Sequence, residues 1–351
     1  MAQINKPNEY FNTKLYTGDD TNNREISLGL TPDLTWIKAR NVAYGHILFD
    51  RIRGLGFSLN SNNTNADRNV GSEFGWSNSG CTTDSFTVDR GSNESLNESG
   101  RPMVAWNWKA NGTGSANTDG SISSTVSAST TSGFSIVTYD GTGSAGATVG
   151  HGLGVAPSMI LAKKMDGAAS NWAVYHKSLG ATKYLILNST TASVTSNTRW
   201  NNVEPTSSVF TVGSSGDVNN NGETVVAYCF AEKKGFSKFG SYTGNGNADG
   251  TFVYTGFKPA FVMWKRTEDA GYDWDMYDTA RDTHNVAFKE LIANSSGAES
   301  SSTVLSLDIL SNGFKLRTSN GNGNDSGKPY IYMAFAENPL VASNFNAATA
   351  R

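Results

Sequence analysis

Three stretches of the chain alternate between bulky apolar residues and smaller or more polar ones. They read VAWNWKA at 104–110, VAYCFAE at 226–232 and IYMAFAE at 331–337. Because successive side chains of a β-strand point to opposite faces, this period of two predicts a strand in each place. The bulky faces carry Val104, Trp106 and Trp108, then Val226, Tyr228 and Phe230, then Ile331, Met333 and Phe335. We expect these faces to pack inside a unit rather than to stack on sugars, because Met333 supplies volume without a ring.

Each of these strands is the last of four landmarks that recur in the same order. The first three are a Tyr-Thr/Asp-Gly turn at 16–18, 139–141 and 242–244, a strand that follows a proline and reaches Lys38, Lys163 or Lys265, and a short aromatic strand at 85–88, 209–212 and 313–316. Trp106, Tyr228 and Met333 are 122 and 105 positions apart, and the phenylalanines of the aromatic strands are 124 and 104 apart. This agreement indicates three tandem copies of one module.

The landmarks define the expected organisation of the chain. It comprises an N-terminal arm (1–8), a first unit (9–110), a Ser/Thr/Gly-rich linker (111–132), a second unit (133–234), a third unit (235–340) and a C-terminal tail (341–351). Many glycines, few prolines and weak helical signals favour short strands joined by turns. The sequence therefore predicts an all-β protein made of three tandem antiparallel β-sandwich repeats of the jelly-roll or lectin-like kind.

A glycine-rich stretch, GHGLGVAPSMILAKK at 150–164, resembles a dinucleotide-binding loop. That loop requires a helix after the glycines, whereas an apolar run of β character follows here. The corresponding stretches near Pro32 and Pro259 lack the extra glycines. A turn that leads into a strand is therefore the favoured interpretation.

Composition restricts the function classes. Charged residues are 17% of the chain and the net charge is −3, so the sequence offers no electrostatic basis for binding nucleic acid or an anionic membrane. We also expect neither a secretory signal nor a membrane span. Cys229 lies in a strand pattern and Cys81 in a polar loop, so a buried inert thiol and a free surface thiol are expected rather than a disulfide framework.

A further recurring segment holds the most suggestive polar residues. It reads HILFDRIRG at 46–54, WAVYHKSLG at 172–180 and WDMYDTARD at 274–282. Matched positions carry Asp50, His176 and Asp278, and three residues later Arg53, Leu179 and Arg281. An Asp and an Arg at this spacing are most often a local ion pair. A ligand-contacting loop and a catalytic role remain alternatives, and these five polar residues are our weak candidates for a binding site.

Enzyme chemistry has little support elsewhere. A glycosidase would need two carboxyl groups beside a cleft, and the only acidic cluster is TEDAGYDWDMYD at 267–278. That cluster lacks EF-hand spacing, and the histidines at 46, 151, 176 and 284 lack metal-ligand spacing. We therefore expect no catalytic residues, no metal and no cofactor.

Several long segments carry a family resemblance. They include NKPNEYFNTKLYTG (6–18), PDLTWIKAR (32–40), HILFDRIRG (46–54), MVAWNWKA (103–110), GFSIVTYDGTGSAGATVGHGLGVAPSMILAKK (133–164), NWAVYHKSLG (171–180) and YIYMAFAENP (330–339). Together they resemble repeat-containing virion proteins of tailed phages of marine bacteria and cyanobacteria, commonly labelled tail fibre or structural proteins. The resemblance implies a virion location and no cofactor, and it supplies no catalytic residues.

The expected function follows from the repeats and the resemblance. We expect a non-enzymatic tail fibre or host-contacting appendage that contacts other virion proteins. It is expected to form a homo-oligomer, for which we guess a trimer. It is expected to bind a host surface glycan or protein receptor through several weak sites. The terminal arms would dock on neighbouring subunits. One alternative is a capsid decoration or tail-assembly protein without a receptor role, and another is a polysaccharide depolymerase.

Overall fold

A computed structural model describes residues 3–54, 56–76, 84–91 and 95–340 of the chain. These residues form an almost entirely β protein with antiparallel sheets. The strands of the first segment are β1 (Phe11–Thr17), β2 (Arg24–Ser27), β3 (Leu34–Ala39), β4 (Ile47–Asp50), β5 (Phe57–Ser58), β6 (Arg68–Asn69), β7 (Phe74–Trp76), β8 (Ser85–Val88) and β9 (Pro102–Trp108).

The second segment is taken here to include residues 111–132. Its strands are β10 (Ser115–Asn117), β11 (Ser124–Ser129), β12 (Phe134–Asp140), β13 (Ala147–Gly150), β14 (Met159–Lys164), β15 (Ala173–His176), β16 (Lys183–Ile186), β17 (Val194–Thr195), β18 (Val209–Val212) and β19 (Thr224–Phe230). The third segment contains β20 (Ser237–Thr243), β21 (Phe252–Tyr254), β22 (Phe257–Arg266), β23 (Trp274–Asp278), β24 (Leu291–Ile292), β25 (Leu307–Leu310), β26 (Gly313–Leu316) and β27 (Pro329–Pro339).

The described helices are all single turns. They are two 3-10 turns, Pro7–Glu9 and Gly71–Glu73, and α1 (Gly216–Asn219), whose N-terminus Ser215 caps through its side chain. No helix in the described ranges is long and apolar enough to cross a bilayer.

The three segments share one strand order. Their large sheets contain β1-β9-β3-β4, β12-β19-β14-β15 and β20-β27-β22-β23, with every neighbouring pair antiparallel. A small sheet built on β2-β8, β13-β18 or β21-β26 lies against one face of each large sheet. Each segment is therefore a two-layer β-sandwich, and the recurring landmarks of the sequence correspond to recurring strands.

From the alternation alone we expect the bulky face of each last strand to pack inside its own sandwich. It does not. Trp106, Tyr228 and Met333 are buried together in one central core that all three large sheets share. The opposite, smaller face fills the separate sandwich cores, with Ala105 in the first and Cys229 in the second. The prediction that these faces are buried is confirmed, but their assignment to three separate interiors is wrong. A strand pattern identifies a buried face without showing which layer covers it.

The Ser/Thr/Gly-rich stretch 111–132 differs from the linker that its composition suggests. It contains β10 and β11, and β11 pairs along the whole of Ser124–Ser129 with β12. The Val126 side chain of β11 contributes to the second sandwich core. The small Ser and Thr side chains of β11 allow this strand to pair along the edge of the sheet. The second large sheet therefore extends beyond β12, whereas β1 and β20 are edge strands.

The N-terminal arm lies on its own chain. The Ile4 N–H donates to the Lys234 carbonyl over 3.1 Å, and the Ile4 side chain is buried in the central core. Ile4 of this arm therefore docks within its own chain, at the junction of the second and third segments, and docking on a neighbouring subunit stays a prediction. The C-terminal tail 341–351 lies outside the described residues.

Candidate functional site

The three sandwiches meet along three seams that repeat in a cyclic order. We name them by the segments they join: first-second, second-third and third-first. Each seam has a backbone hydrogen bond at a matched position. In the first-second seam the Asp67 N–H donates to the Met165 carbonyl at 2.7 Å. In the second-third seam the Ser193 N–H donates to the Thr267 carbonyl at 2.9 Å, and in the third-first seam the Glu299 N–H donates to the Arg40 carbonyl at 2.7 Å. The cyclic order means that one chain builds an arrangement with approximate three-fold symmetry.

At the axis of this arrangement three aromatic side chains form a closed triangle. The ring centroids of Trp108, Phe230 and Phe335 are 6.2, 6.0 and 5.6 Å apart. Each ring comes from the bulky face of the last strand of a different segment. These separations are typical of favourable aromatic contacts, so the triangle holds the three sheets together at their common centre.

The first-second seam contains Asp50 and Arg53. Asp50 has no exposed surface, and its Oδ2 accepts hydrogen bonds from Arg53 Nε at 2.5 Å and from Tyr228 Oη at 2.7 Å. Its Oδ1 accepts the backbone N–H groups of Ile52 and Arg53. Burial raises the pKa of Tyr228 well above its ordinary value, so the phenol stays a neutral donor. A buried carboxylate is thereby fully hydrogen-bonded across the seam.

The third-first seam repeats this arrangement with a different donor. Asp278 Oδ2 accepts from Arg281 Nε at 2.6 Å and from Trp106 Nε1 at 3.1 Å. Arg281 also contacts Glu299, and Glu299 receives a two-pronged contact from Arg40 of the first segment, at 2.7 and 2.9 Å. The ion pair therefore extends into a buried network that joins both segments.

The second-third seam has a histidine where the others have an aspartate. His176 Nδ1 accepts the Ser178 N–H, so Nε2 carries the proton and donates to the Tyr332 carbonyl at 3.2 Å. Burial lowers the pKa of His176 to about 4, which keeps the ring neutral. The side chain at the matched position of the partner strand is Met333, which has no donor to offer a carboxylate. The acceptor residue and the donor residue thus change together within one chain.

The lysines at matched strand ends also reach across the seams. Lys163 Nζ donates to the Thr64 carbonyl at 3.0 Å, and Lys265 Nζ donates to the Thr190 carbonyl at 3.4 Å. Lys38 instead bonds nearby carbonyls of its own segment. Burial lowers the pKa of each of the three lysines to about 8. Sequence reasoning noted their recurrence but assigned them no role, because a lysine in a strand gives no signal of the carbonyls it will meet.

The five weak candidates therefore all lie in seams. The side chains of Asp50, Arg53, Asp278 and Arg281 are at most 1% exposed, and His176 is fully buried. Every one of them contacts another segment, directly or through its ion-pair partner. In this arrangement their charges and donors stabilise the assembly of the sandwiches.

The acidic cluster of the third segment is dispersed. Asp269 pairs with Arg266 at 2.5 Å and with Lys328 at 2.9 Å. Asp275, in contrast, is fully buried in the third sandwich beside Glu290, and burial followed by the neighbouring Glu290 raises its pKa well above the ordinary value. Burial and the neighbouring carboxyl group therefore favour the protonated form of Asp275. Within the described residues no group of three or more acidic, histidine or cysteine side chains is placed to hold a metal ion.

The remaining sequence candidates have structural positions. Gly152 and Gly154 have φ angles of +68° and +70°, and the chain then enters β14 rather than a helix, which is the geometry of a turn. His151 accepts the Leu153 N–H within this turn. Cys229 is buried, and burial raises the pKa of its thiol. Cys81 lies outside the described residues.

Described residues line two surface grooves of similar size. One, of about 280 Å³, lies in the third-first seam and is lined by Asn8, Phe11, Asn12, Thr13, Ala260, Thr279, Ala280, Ala336 and Glu337. The other, of about 290 Å³, lies on the second large sheet and is lined by Ala116, Ser123, Ser124, Thr125, Thr138, Tyr139, Asp140 and Thr224. Neither places two carboxyl groups opposite each other, and both are lined mainly by small and hydroxyl side chains.

A family model matches most of the chain. The family model described as "Domain of unknown function (DUF7483)" matches residues 6–339, which spans all three sandwiches. No curated protein and no solved structure matches the chain.

Proposed function

The chain belongs to the DUF7483 family, a family of unknown function. We propose that it is a non-enzymatic structural protein of a phage virion, acting as a tail fibre or host-contacting appendage component. The observation that carries the proposal is the aromatic triangle of Trp108, Phe230 and Phe335. It ties three similar sandwiches to one axis, so a single chain presents three similar outer surfaces as one rigid body.

The three sandwiches are, in this proposal, copies of one jelly-roll or lectin-like module. Their shared strand order and matched seam contacts support a common origin. Rigid presentation of similar surfaces suits multivalent binding, because the second and third contacts form at a high effective concentration. The host ligand in this proposal is a surface glycan or protein, and the partners are other virion proteins and further copies of the chain.

A structural role also accounts for how the polar residues are used. The Asp50–Arg53 and Asp278–Arg281 pairs are buried and hydrogen-bonded inside the seams. Asp275, whose pKa burial raises well above its ordinary value, is enclosed beside Glu290. A general acid must reach its substrate, and these groups reach only other parts of the chain. This use of acids and bases supports a body without catalysis or a cofactor more than it supports a depolymerase.

A capsid decoration role is the second candidate, and the approximate three-fold symmetry favours it. A body with three similar faces fits a site where three identical subunits meet, which is a common arrangement in symmetric shells. The tail and the capsid proposals share the same fold argument and differ in where the protein sits on the particle.

Labelling of intact particles tests both proposals. Antibodies raised against the purified chain, made visible with gold in electron micrographs, are expected to mark the tail. Label spread over the head would replace the appendage proposal with the decoration role, and particles without label would refute a virion location. A separate incubation with host envelope polysaccharide is expected to release no reducing ends, and their release would establish the depolymerase alternative.

A further inference from the structure

The 280 Å³ groove in the third-first seam lies beside a strand edge that no described strand pairs with. Its first wall is the start of β1, an edge strand, and its second wall is formed by small side chains of the third segment. The Lys109 N–H bonds the Tyr10 carbonyl and the Gly18 N–H bonds the Arg101 carbonyl. Even-numbered residues of β1 therefore face β9, and Phe11, Thr13 and Leu15 direct their backbone amides and carbonyls to the open side.

The matched place in the first-second seam is filled by a strand of the same chain. There β12 takes the position of β1, and β11 pairs with it so that Ser127, Ala128 and Ser129 lie opposite Ile136, Ser135 and Phe134. The Asn111 N–H, just beyond the last strand of the first segment, donates to Ser127 Oγ at 2.9 Å. The chain itself thus shows what fits such a groove: an extended strand with small and hydroxyl side chains.

The matched place in the second-third seam is closed in a different way. Lys238, which corresponds to Asn12, donates to Glu232 at 2.7 Å, and Lys177 donates to the other oxygen of the same carboxylate at 2.6 Å. These long side chains bridge the gap beside β20. In the third-first seam Asn12 and Thr279 occupy the positions of the two lysines, and both are too short to form that bridge.

Described residues of the chain therefore fill two of these three equivalent places, and none of the described residues fills the third. We propose that the third-first groove binds an extended polypeptide segment from a partner chain, which adds as a strand to the free edge of β1. The bound segment carries small Ser, Ala or Thr side chains, because the internal strand that fills the matched place presents Ser127, Ala128 and Ser129 there. The backbone groups of Phe11, Thr13 and Leu15 supply the main attraction, as in other cases of strand addition. This inference concerns a protein partner and goes beyond the proposed function.

A peptide that copies the internal strand provides the probe. A fluorescent peptide with the sequence ISSTVSASTT, residues 122–131, is titrated with the full chain and its anisotropy is recorded. One peptide is expected to bind per chain, and hydrogen exchange is expected to slow at the Phe11, Thr13 and Leu15 amides. Absence of binding, or protection elsewhere in the chain, would overturn the proposal.

Two variants are designed to weaken peptide binding at the groove, and a third is designed to open the matched place in the second-third seam. Asn12→Lys introduces the side chain of Lys238 beside Glu337, and Thr13→Pro removes one outward amide from an edge strand, where proline is tolerated. Each is expected to weaken peptide binding at least tenfold with little change in Tm. The double variant Lys177→Thr/Lys238→Asn matches the open groove and is expected to raise the stoichiometry from one peptide to two. Unchanged binding in Asn12→Lys would refute the assigned site.

The C-terminal segment of the same chain is the competing occupant. A variant that ends at Leu340 is expected to bind the peptide as tightly as the full chain does. A tenfold gain in affinity on this truncation would show that residues 341–351 compete for the groove, and would replace a partner chain with the chain's own tail.

Discussion

Tyr228 Oη lies 2.7 Å from Asp50 Oδ2, although the two residues are 178 positions apart. The contact joins the last strand of the second sandwich to the C-terminal residue of β4 in the first. A matched contact joins Trp106 to Asp278 across the third-first seam. In the second-third seam, where Met333 replaces the donor, His176 bonds a backbone carbonyl instead. The side chains that first suggest a ligand site thus hold three sandwiches around one axis.

Removal of the Tyr228 hydroxyl tests the first seam. Tyr228→Phe takes one of the hydrogen bonds from the buried Asp50 carboxylate while the ring still fills its place. We expect the free energy of unfolding to fall by about 1–3 kcal/mol, the usual cost of depriving a buried group of a partner. The matched control Tyr254→Phe alters an exposed hydroxyl and is expected to change stability by less than about 0.5 kcal/mol. Equal effects of both changes in urea denaturation would contradict the seam assignment.

The Asp278–Arg281 ion pair of the third-first seam can be replaced by the residues found at the matched positions of the second-third seam. Arg281→Leu alone leaves Asp278 as a buried charge with one fewer partner, and we expect a loss of about 3–5 kcal/mol. Asp278→His/Arg281→Leu reproduces the His176 and Leu179 combination, so the loss is expected to be smaller than in the single variant. Denaturant titration gives both values. A double variant less stable than Arg281→Leu would show that the two combinations are not interchangeable.

The exposed pair Arg317–Asp308 serves as the control for this exchange. Its arginine side chain is 39% exposed, so Arg317→Leu is expected to cost no more than about 1 kcal/mol.

Stability is expected to depend on pH through His176. Its pKa is about 4 in the folded protein because of burial, against an ordinary 6.5. The unfolded chain therefore binds a proton first as the pH falls. The contribution of the neutral ring is fully present above pH 6.5 and is lost between pH 6.5 and 4, by about 3 kcal/mol at most.

Comparison with a variant isolates this contribution. The difference in unfolding free energy between the native chain and His176→Gln is expected to shrink as the pH falls from 6.5 to 4. His284→Gln, in which an exposed histidine is replaced, is expected to show no such trend. A constant difference across this pH range would contradict a depressed pKa for His176.

The sequence allowed part of this structure to be predicted, because alternation and turn residues are local signals. The all-β class and the burial of Trp106, Tyr228 and Met333 followed from period two. The shared central core did not, because a pattern of one strand contains no information about which sheet lies opposite. The strands β10 and β11 were missed for a related reason: Ser and Thr resemble a linker in composition until a neighbouring edge gives them backbone partners.

The candidate residues were identified by their matched positions, but their contacts were not. Asp50 and Arg53 are close in sequence, so their pairing could be suggested. Tyr228 lies in another segment, and nothing near either residue in sequence indicates the contact. The joint change of Asp278 and Trp106 to His176 and Met333 was visible in the aligned segments, and it is the one signal that could have indicated the seams.

The ring of Phe230 at the axis allows a test of long-range effects. Phe230→Ala removes one corner of the aromatic triangle, and we expect a loss of about 3–5 kcal/mol. Because the ring contacts Trp108 and Phe335, hydrogen exchange is expected to accelerate in the last strands of all three segments. Acceleration confined to residues 133–234 would contradict a shared core.

Calorimetry of the full chain tests the central claim most directly, namely that three sandwiches around a common core unfold as one cooperative body. The account predicts a single thermal transition in which the van 't Hoff enthalpy equals the calorimetric enthalpy. Separate transitions, or a van 't Hoff enthalpy of about one third of the calorimetric value, would show three independent domains and contradict it.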